Sequence, residues 1–349
     1  MTARPTALRA TFTPTKVAVS VALVILAALI PFIYPSPYGI GVMVTMAILV
    51  VLNASWNFLL GYAGVWSFGH LALYAAGGYG AGILMVHASF GVVPAMLGGV
   101  VAGALFAVLL AFPTLRLYGI YTSLLTFAAA QVFQLVIQND DTGTTGGAFG
   151  LPSVDTLFGS LDPLWNARAY YWLYLLLAVA TVAFIAWLVR SPFGLALRMT
   201  RDSLVYASAR GIDPLRYRVA AFAISGALAG LAGGMYTVFN GSIAPNVMGL
   251  TPLSIYVTMI VVGGLGHVSG PVVGTILISL VQQALIDHPG AQLTVLGAIL
   301  LLIVVFFPRG IADQAAGVQR RVEAWMDEGD DDDDRHEPVP PGPAAGSRA

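Results

Sequence analysis

Apolar residues fill this chain in long runs broken by short polar stretches, and the runs approach the roughly 20 residues that a membrane-spanning helix needs. They lack the alternating ten-residue segments of a membrane barrel. In order, the runs are Val17–Tyr34, Tyr38–Leu60, Leu71–Val86, Gly91–Phe112, Leu117–Ile137, Tyr170–Val189, Val219–Phe239, Pro252–Gly266, Val272–Ile286 and Ala291–Phe307. The pattern predicts an all-α integral membrane protein, a polytopic helical bundle of 8–10 transmembrane segments. Pro252–Gly266 is only 15 residues long and is followed by GHVSGP, so it is either a short tilted helix or a re-entrant element. Either count is even and puts both termini on one side.

Composition agrees with this reading. Of the 349 residues 58% are hydrophobic and 9% charged, against about 25% charged in soluble domains. The net charge of −1 conceals a division, because most acids lie beyond Asp313, including Asp330–Asp334. Three regions follow: a polar N-terminal segment 1–16, a membrane domain 17–307, and a tail 308–349 too acidic and proline-rich to fold. The connection 138–168 is acid-leaning and rich in glycine and threonine, which fits an extracytoplasmic loop. The chain has no cysteine, so disulfides and thiolate metal sites are excluded.

One polar stretch differs from the rest. Arg190 to Arg218 holds six of the sixteen basic residues and only Asp202 and Asp213 as acids, between two apolar runs. Such a loop faces the cytoplasm by the positive-inside rule. Leu197, Arg201, Leu204, Ser208 and Gly211 recur at i+4 and i+3 spacing, predicting one face of a short helix, with Gly211 as its C-cap and Pro214 barring continuation. A structured helix between two spans suits a partner's grip, although its arginines also serve simply to fix orientation.

Catalytic chemistry is not visible. No HExxH, GxxxxGK[ST] or GxSxG motif occurs, so the chain is read as no enzyme, with no cofactor and no ATP site of its own. Ionisable groups within the apolar runs reduce mainly to His70 and His267, better read as packing residues than as proton relays. Asn53, Asn57, Ser67, Thr126 and Gln131 either line a polar path or tie helices together, and composition favours ties. The glycines around them, Gly61 and Gly64 included, permit close helix contact or a local break.

The segment SPFGLALRMTRDSLVYASARGIDPLRYRVAAFAISGALAGLAGGMY resembles the cytoplasmic loop and following helix of permeases in branched-chain amino acid ABC transporters. NFLLGYAGVWSFGH, the TGTTGG…GLP loop and VVGGLGHVSGPVVGTILISLVQQAL are similar to further signatures of that family, in its order, across most of Leu52 to Leu285. The pattern looks like the M-type subunit, which pairs with a related H-type permease. The resemblance implies a multi-pass protein of the bacterial inner membrane with both termini cytoplasmic. It also implies an importer assembly: two permeases, two cytoplasmic ATPases that bind ATP and magnesium, and an extracytoplasmic solute-binding protein. The implied solute is leucine, isoleucine or valine, with urea, short amides and other amino acids as alternatives within the class; a passive channel or a membrane-embedded enzyme is the alternative outside it. Carried across residue by residue, the resemblance assigns ATPase docking to Arg198, Arg201, Asp202, Ala207, Gly211 and Asp213. It leaves Asn53, Asn57, Gly61, Gly64, Ser67, His70, Thr126 and Gln131 as candidates for the substrate pathway.

Overall fold

Prolines set where many of the helices begin. A proline in the first helical turn sacrifices an N–H that would be unbonded anyway, and Pro37, Pro163, Pro192, Pro214 and Pro271 all occupy that place. The computed structural model describes residues 14–33, 35–117, 119–152, 157–158 and 162–306. The first thirteen residues, parts of the predicted outer loop and the acidic tail lie outside the described residues. Among the described residues twelve α-helices follow in order: α1 Pro14–Ile33, α2 Pro37–Asn57, α3 His70–Val86, α4 Val92–Thr114, α5 Ile120–Gln138, α6 Pro163–Arg190, α7 Pro192–Asp202, α8 Leu204–Ala209, α9 Pro214–Asn240, α10 Leu250–Gly263, α11 Gly270–Ala284 and α12 Pro289–Phe306. Among the described residues five helices (α2 with the turn after it, α4, α5, α6 and α9) are long and apolar enough to cross a membrane by length and composition alone, and α3, α10 and α11 are shorter apolar helices.

The centre is the packing of α3, α4 and α9. In lipid there is no hydrophobic driving force between helices, so close backbone approach and dispersion must hold them. Small residues supply it. A Cβ on Gly77 of α3 would run into the backbone of Gly230 on α9, and one on Gly103 of α4 would meet Gly226 and Gly230. The opposite face of α4 carries Val93, Leu97, Val101, Leu105 and Leu109, all exposed and four residues apart, an outward apolar stripe suited to lipid or another helix. At one end of the bundle, Leu151–Pro152 and Ser242–Ile243 form a two-stranded antiparallel ladder that pairs Leu151 with Ile243 and ties the loops before α6 and after α9.

The structure alters three sequence expectations. The arginine stretch is not one helix but two, because Ser203 is extended (φ −160°, ψ 113°) and its hydroxyl accepts from the Tyr206 N–H at 3.2 Å, ending α7 and starting α8. Arg216 and Arg218 lie inside α9, which begins at Pro214 with Asp213 as its cap. At the other loop, α6 starts at Pro163, so Arg168 is helical; it stacks over Phe32 and Trp165 and donates to Pro31 O at 3.2 Å.

The short pair α10–α11 is a tight hairpin lying against α2. Its loop meets Asn57 and Gly61, Thr275 and Met259 reach Asn53, and Gln283 donates to the Tyr38 hydroxyl at 2.7 Å. These ties run from one end of α2 to the other. A shallow re-entrant dip would reach only one end; α11 follows α2 along its length.

Candidate functional site

α2 does not stop as an ordinary helix. It widens at Phe58–Tyr62 into a π-helical turn, and the Ala63 N–H reaches back to Phe58 O at 3.3 Å. Single π turns inserted in α-helices often mark functional sites. The turn exposes the carbonyl of Gly61, which accepts from an Arg201 guanidinium nitrogen at 2.6 Å. Gly61 also brings its α-carbon against Gly266, where a Cβ would collide with the Gly266 backbone. Gly64, at φ +67°, lies under the Arg201 side chain in a conformation and a space that only glycine fits. One glycine thus joins α7 to the α10–α11 loop.

α7 and α8 are held in place from several sides. Ser191 caps α7, Phe193 stacks on Tyr217 of α9 with centroids 5.3 Å apart, and the Arg198 guanidinium lies 5.3 Å over the Tyr62 ring. α8 ends in a two-bond glycine cap: the Gly211 N–H donates to Ser208 O and the Ile212 N–H to Ala207 O, with Gly211 at φ +78°. Asp213 then accepts from the Leu215 N–H at 3.0 Å and starts α9. Arg198, Arg201, Asp202, Gly211 and Asp213 are exposed on this segment, together with Leu195, Val205 and Tyr206. Ala207 is different. It is fully buried, so it seats α8 on the chain and offers no surface of its own.

The buried polar residues form a ladder on α2. Asn53 donates to the Thr275 hydroxyl at 2.8 Å, and Asn57 donates to His267 O at 2.9 Å while accepting from the Gly266 N–H at 3.0 Å. The Ser55 hydroxyl spends its hydrogen on Leu52 O, so His70 Nε2, 2.9 Å away, is the donor to Ser55 Oγ. That fixes the His70 tautomer and leaves Nδ1 buried without a partner among the described residues. Trp56 stacks on His70 and donates to Ser67 O at 2.8 Å. Thr126 accepts from the Phe68 N–H at 3.1 Å, and Ser123 donates to Trp66 O. The loop Ala63–Gly69 is therefore locked on both sides.

Seven of the eight pathway candidates, Asn53, Asn57, Gly61, Gly64, Ser67, His70 and Thr126, come together around α2 and this loop, engaged in contacts within the chain. Gln131 stands apart, half-buried on α5. Apart from all of them, a cleft of about 420 Å³ between α3, α4 and α5 is lined by apolar side chains such as Ile83, Phe106 and Phe133 and by Tyr79. Sequence reading missed the partners Ser225, which donates to Ser55 O at 2.7 Å, and Thr275, 222 positions from Asn53. Nothing local in the sequence marks either as a partner.

Residues 38–306, more than half of the chain, match the family model described as the permease component of the branched-chain amino acid transport system. The chain is 26% identical over 315 residues to the high-affinity branched-chain amino acid transport system permease protein LivM of Escherichia coli, covering 83% of this chain and 73% of that protein. It is 26% identical over 314 residues to LivM of Salmonella typhimurium, with the same shares. A probable branched-chain amino acid transport permease protein LivH of Methanocaldococcus jannaschii is 36% identical over 122 residues, 34% of this chain and 38% of that protein. No solved structure matches the chain significantly.

Proposed function

The chain belongs to the permease family of branched-chain amino acid transport systems, and from that premise we propose that it carries leucine, isoleucine or valine into the cell as one of two permeases of an ATP-driven importer. On this reading it lies in the inner membrane with both termini and the α7–α8 segment on the cytoplasmic side. A second, related permease packs beside it, a solute-binding protein delivers the amino acid from outside, and two ATPases supply ATP and magnesium chemistry that this chain lacks.

The observation that carries the reading is the junction at Gly61. An importer needs a rigid element that passes the ATPases' motion to the spans, and packed elements with discrete arrangements do this. α7–α8 offers exposed arginines and apolar side chains to a partner on one side. On the other side Arg201 is bonded to the π turn of α2, which contacts the α10–α11 loop. A push on α7 therefore bears on α2 and on the α10–α11 loop. The ladder of Asn53, Asn57, Ser67, His70 and Thr126 serves transport by keeping those helices in register.

The test is radiolabelled leucine uptake into proteoliposomes holding the whole assembly, with Arg201→Gln alongside. We expect ATP-dependent uptake in the wild type and a loss of roughly tenfold or more in the variant, with the subunits still co-purifying; removing a charged hydrogen bond of about 1.5–3 kcal/mol implies at least that factor. Leucine flux without ATP would overturn the importer reading. ATP hydrolysis stimulated by another solute, with no leucine flux, would discard the proposed substrate and keep the architecture.

A further inference from the structure

A second, smaller cavity of about 100 Å³ lies where the loop after α2, the start of α5, the α7–α8 break and the start of α9 meet. Its polar lining is one-sided. Arg201 and Arg218 face it, and no carboxylate is among its lining residues. Arg218 is itself buried, only 7% exposed. Asp202, the acid paired with Arg201 at 3.0 Å, is exposed and outside the lining.

The start of α5 adds to this. Gly119, its cap residue, also lines the cavity, and no side chain caps the helix there. The Thr122 N–H of this 19-residue helix already donates to Gly119 O at 3.2 Å, but a helix N-terminus carries the partial positive charge that draws anions. The independent observation is Thr122. It lies in the first turn of α5, lines the cavity, is 1% exposed, and its hydroxyl has no hydrogen-bond partner among the described residues. A buried hydroxyl left unbonded costs stability, so a ligand that accepts its hydrogen would remove a standing penalty. Thr200, also in the lining, already donates to Leu197 O and does not compete.

We propose that this cavity is an oxyanion site that takes a phosphate group, with Arg201, Arg218, the Thr122 hydroxyl and the α5 N-terminus as its donors. The corner sits at the end of apolar helices, so the group comes either from free phosphate or from the headgroup of an anionic phospholipid. Once bound, it would brace α7 against α5.

The experiment needs neither ATP nor an amino acid, so its outcome is independent of the transport reading. The full chain is purified in a phosphate-free sugar detergent, with ionic strength held by chloride. In one arm inorganic phosphate is titrated and followed by phosphorus NMR line width. In the other, the chain in nanodiscs of phosphatidylcholine with added phosphatidylglycerol is released for native mass spectrometry. The expected result is saturable binding in at least one arm, weakened roughly tenfold by Thr122→Val and by Arg201→Gln, as loss of a charge-assisted bond implies. Thr122→Val removes a hydroxyl that bonds nothing among the described residues, so its thermal melt should be no lower than the wild type's, and that outcome validates the comparison. Phosphate saturation identifies the free anion as the source, and retained phosphatidylglycerol identifies the headgroup. No saturable phosphate and no retained phosphatidylglycerol, or binding unchanged by Thr122→Val, would overturn the proposal.

Discussion

Asn57 holds two backbone groups of a loop about 210 positions away in sequence, donating to His267 O and accepting from the Gly266 N–H. Asn57→Ala removes both bonds and strips a backbone donor of its acceptor, so we expect a loss of about 1–3 kcal/mol, read as a lower melting temperature in detergent. Asp140 acts at the far end of the bundle. Hydrogen bonds from the Thr142 and Thr145 hydroxyls, and then from the Thr145 and Thr142 N–H groups, hold its carboxyl well below the usual carboxylate range, with desolvation opposing them. A carboxyl lowered in the folded state stabilises it above the ordinary carboxylate pKa, and that contribution is lost only as pH falls through the lowered value. The Thr142 and Thr145 amides should therefore stay protected from hydrogen exchange as pH falls into the range where an ordinary aspartate protonates. Asp140→Asn should lower their protection and flatten its pH dependence.

Among the helices, the glycine seam and the break at Ser203 decide the arrangement. Gly230→Ala drives a methyl into the Gly99 and Gly103 backbone, and overpacking of this kind costs about 1–3 kcal/mol. Gly290→Ala in α12 meets open space and should leave the melting temperature within about 0.5 kcal/mol equivalent of wild type. Equal melting of the two variants would remove the seam from the account of how α3, α4 and α9 associate. The same elements show how far sequence patterning reaches. Apolar run lengths locate most helix ends closely, since one solvent acts on each run separately, but α6 and α9 begin at Pro163 and Pro214, in the polar sequence ahead of their runs. They do not show that the arginine stretch breaks at Ser203, because its i+4 and i+3 spacing fits a single helix equally well until the serine hydroxyl finds the Tyr206 N–H.

For the whole molecule, the decisive geometry is that α11 follows α2 from Gly61 to Tyr38. The chain has no cysteine, so pairs can be introduced without background. A bifunctional thiol reagent should link Tyr38→Cys to Gln283→Cys in native membranes and leave Trp66→Cys, an exposed position in the loop just past the other end of α2, unlinked to Gln283→Cys. The reverse pattern would return α10–α11 to a re-entrant element.

Length and polarity of the apolar runs, and the cationic stretch between two of them, are properties of contiguous residues. The sequence alone therefore determined a helical membrane protein, the order of its helices and the place of the cationic segment among them. Which polar side chains meet is a property of residues more than 200 positions apart, as with Asn53 and Thr275. Composition left Asn53 and Asn57 as path or ties, with ties favoured, and His70 as a packing residue rather than a relay; only the folded chain assigned their bonds, because an amide in lipid must be satisfied by whatever the packing brings within reach. The junction of Arg201, Gly61 and Gly266 is likewise tertiary. Its parts are an arginine and two glycines, and only close approach of three separate elements makes them one site.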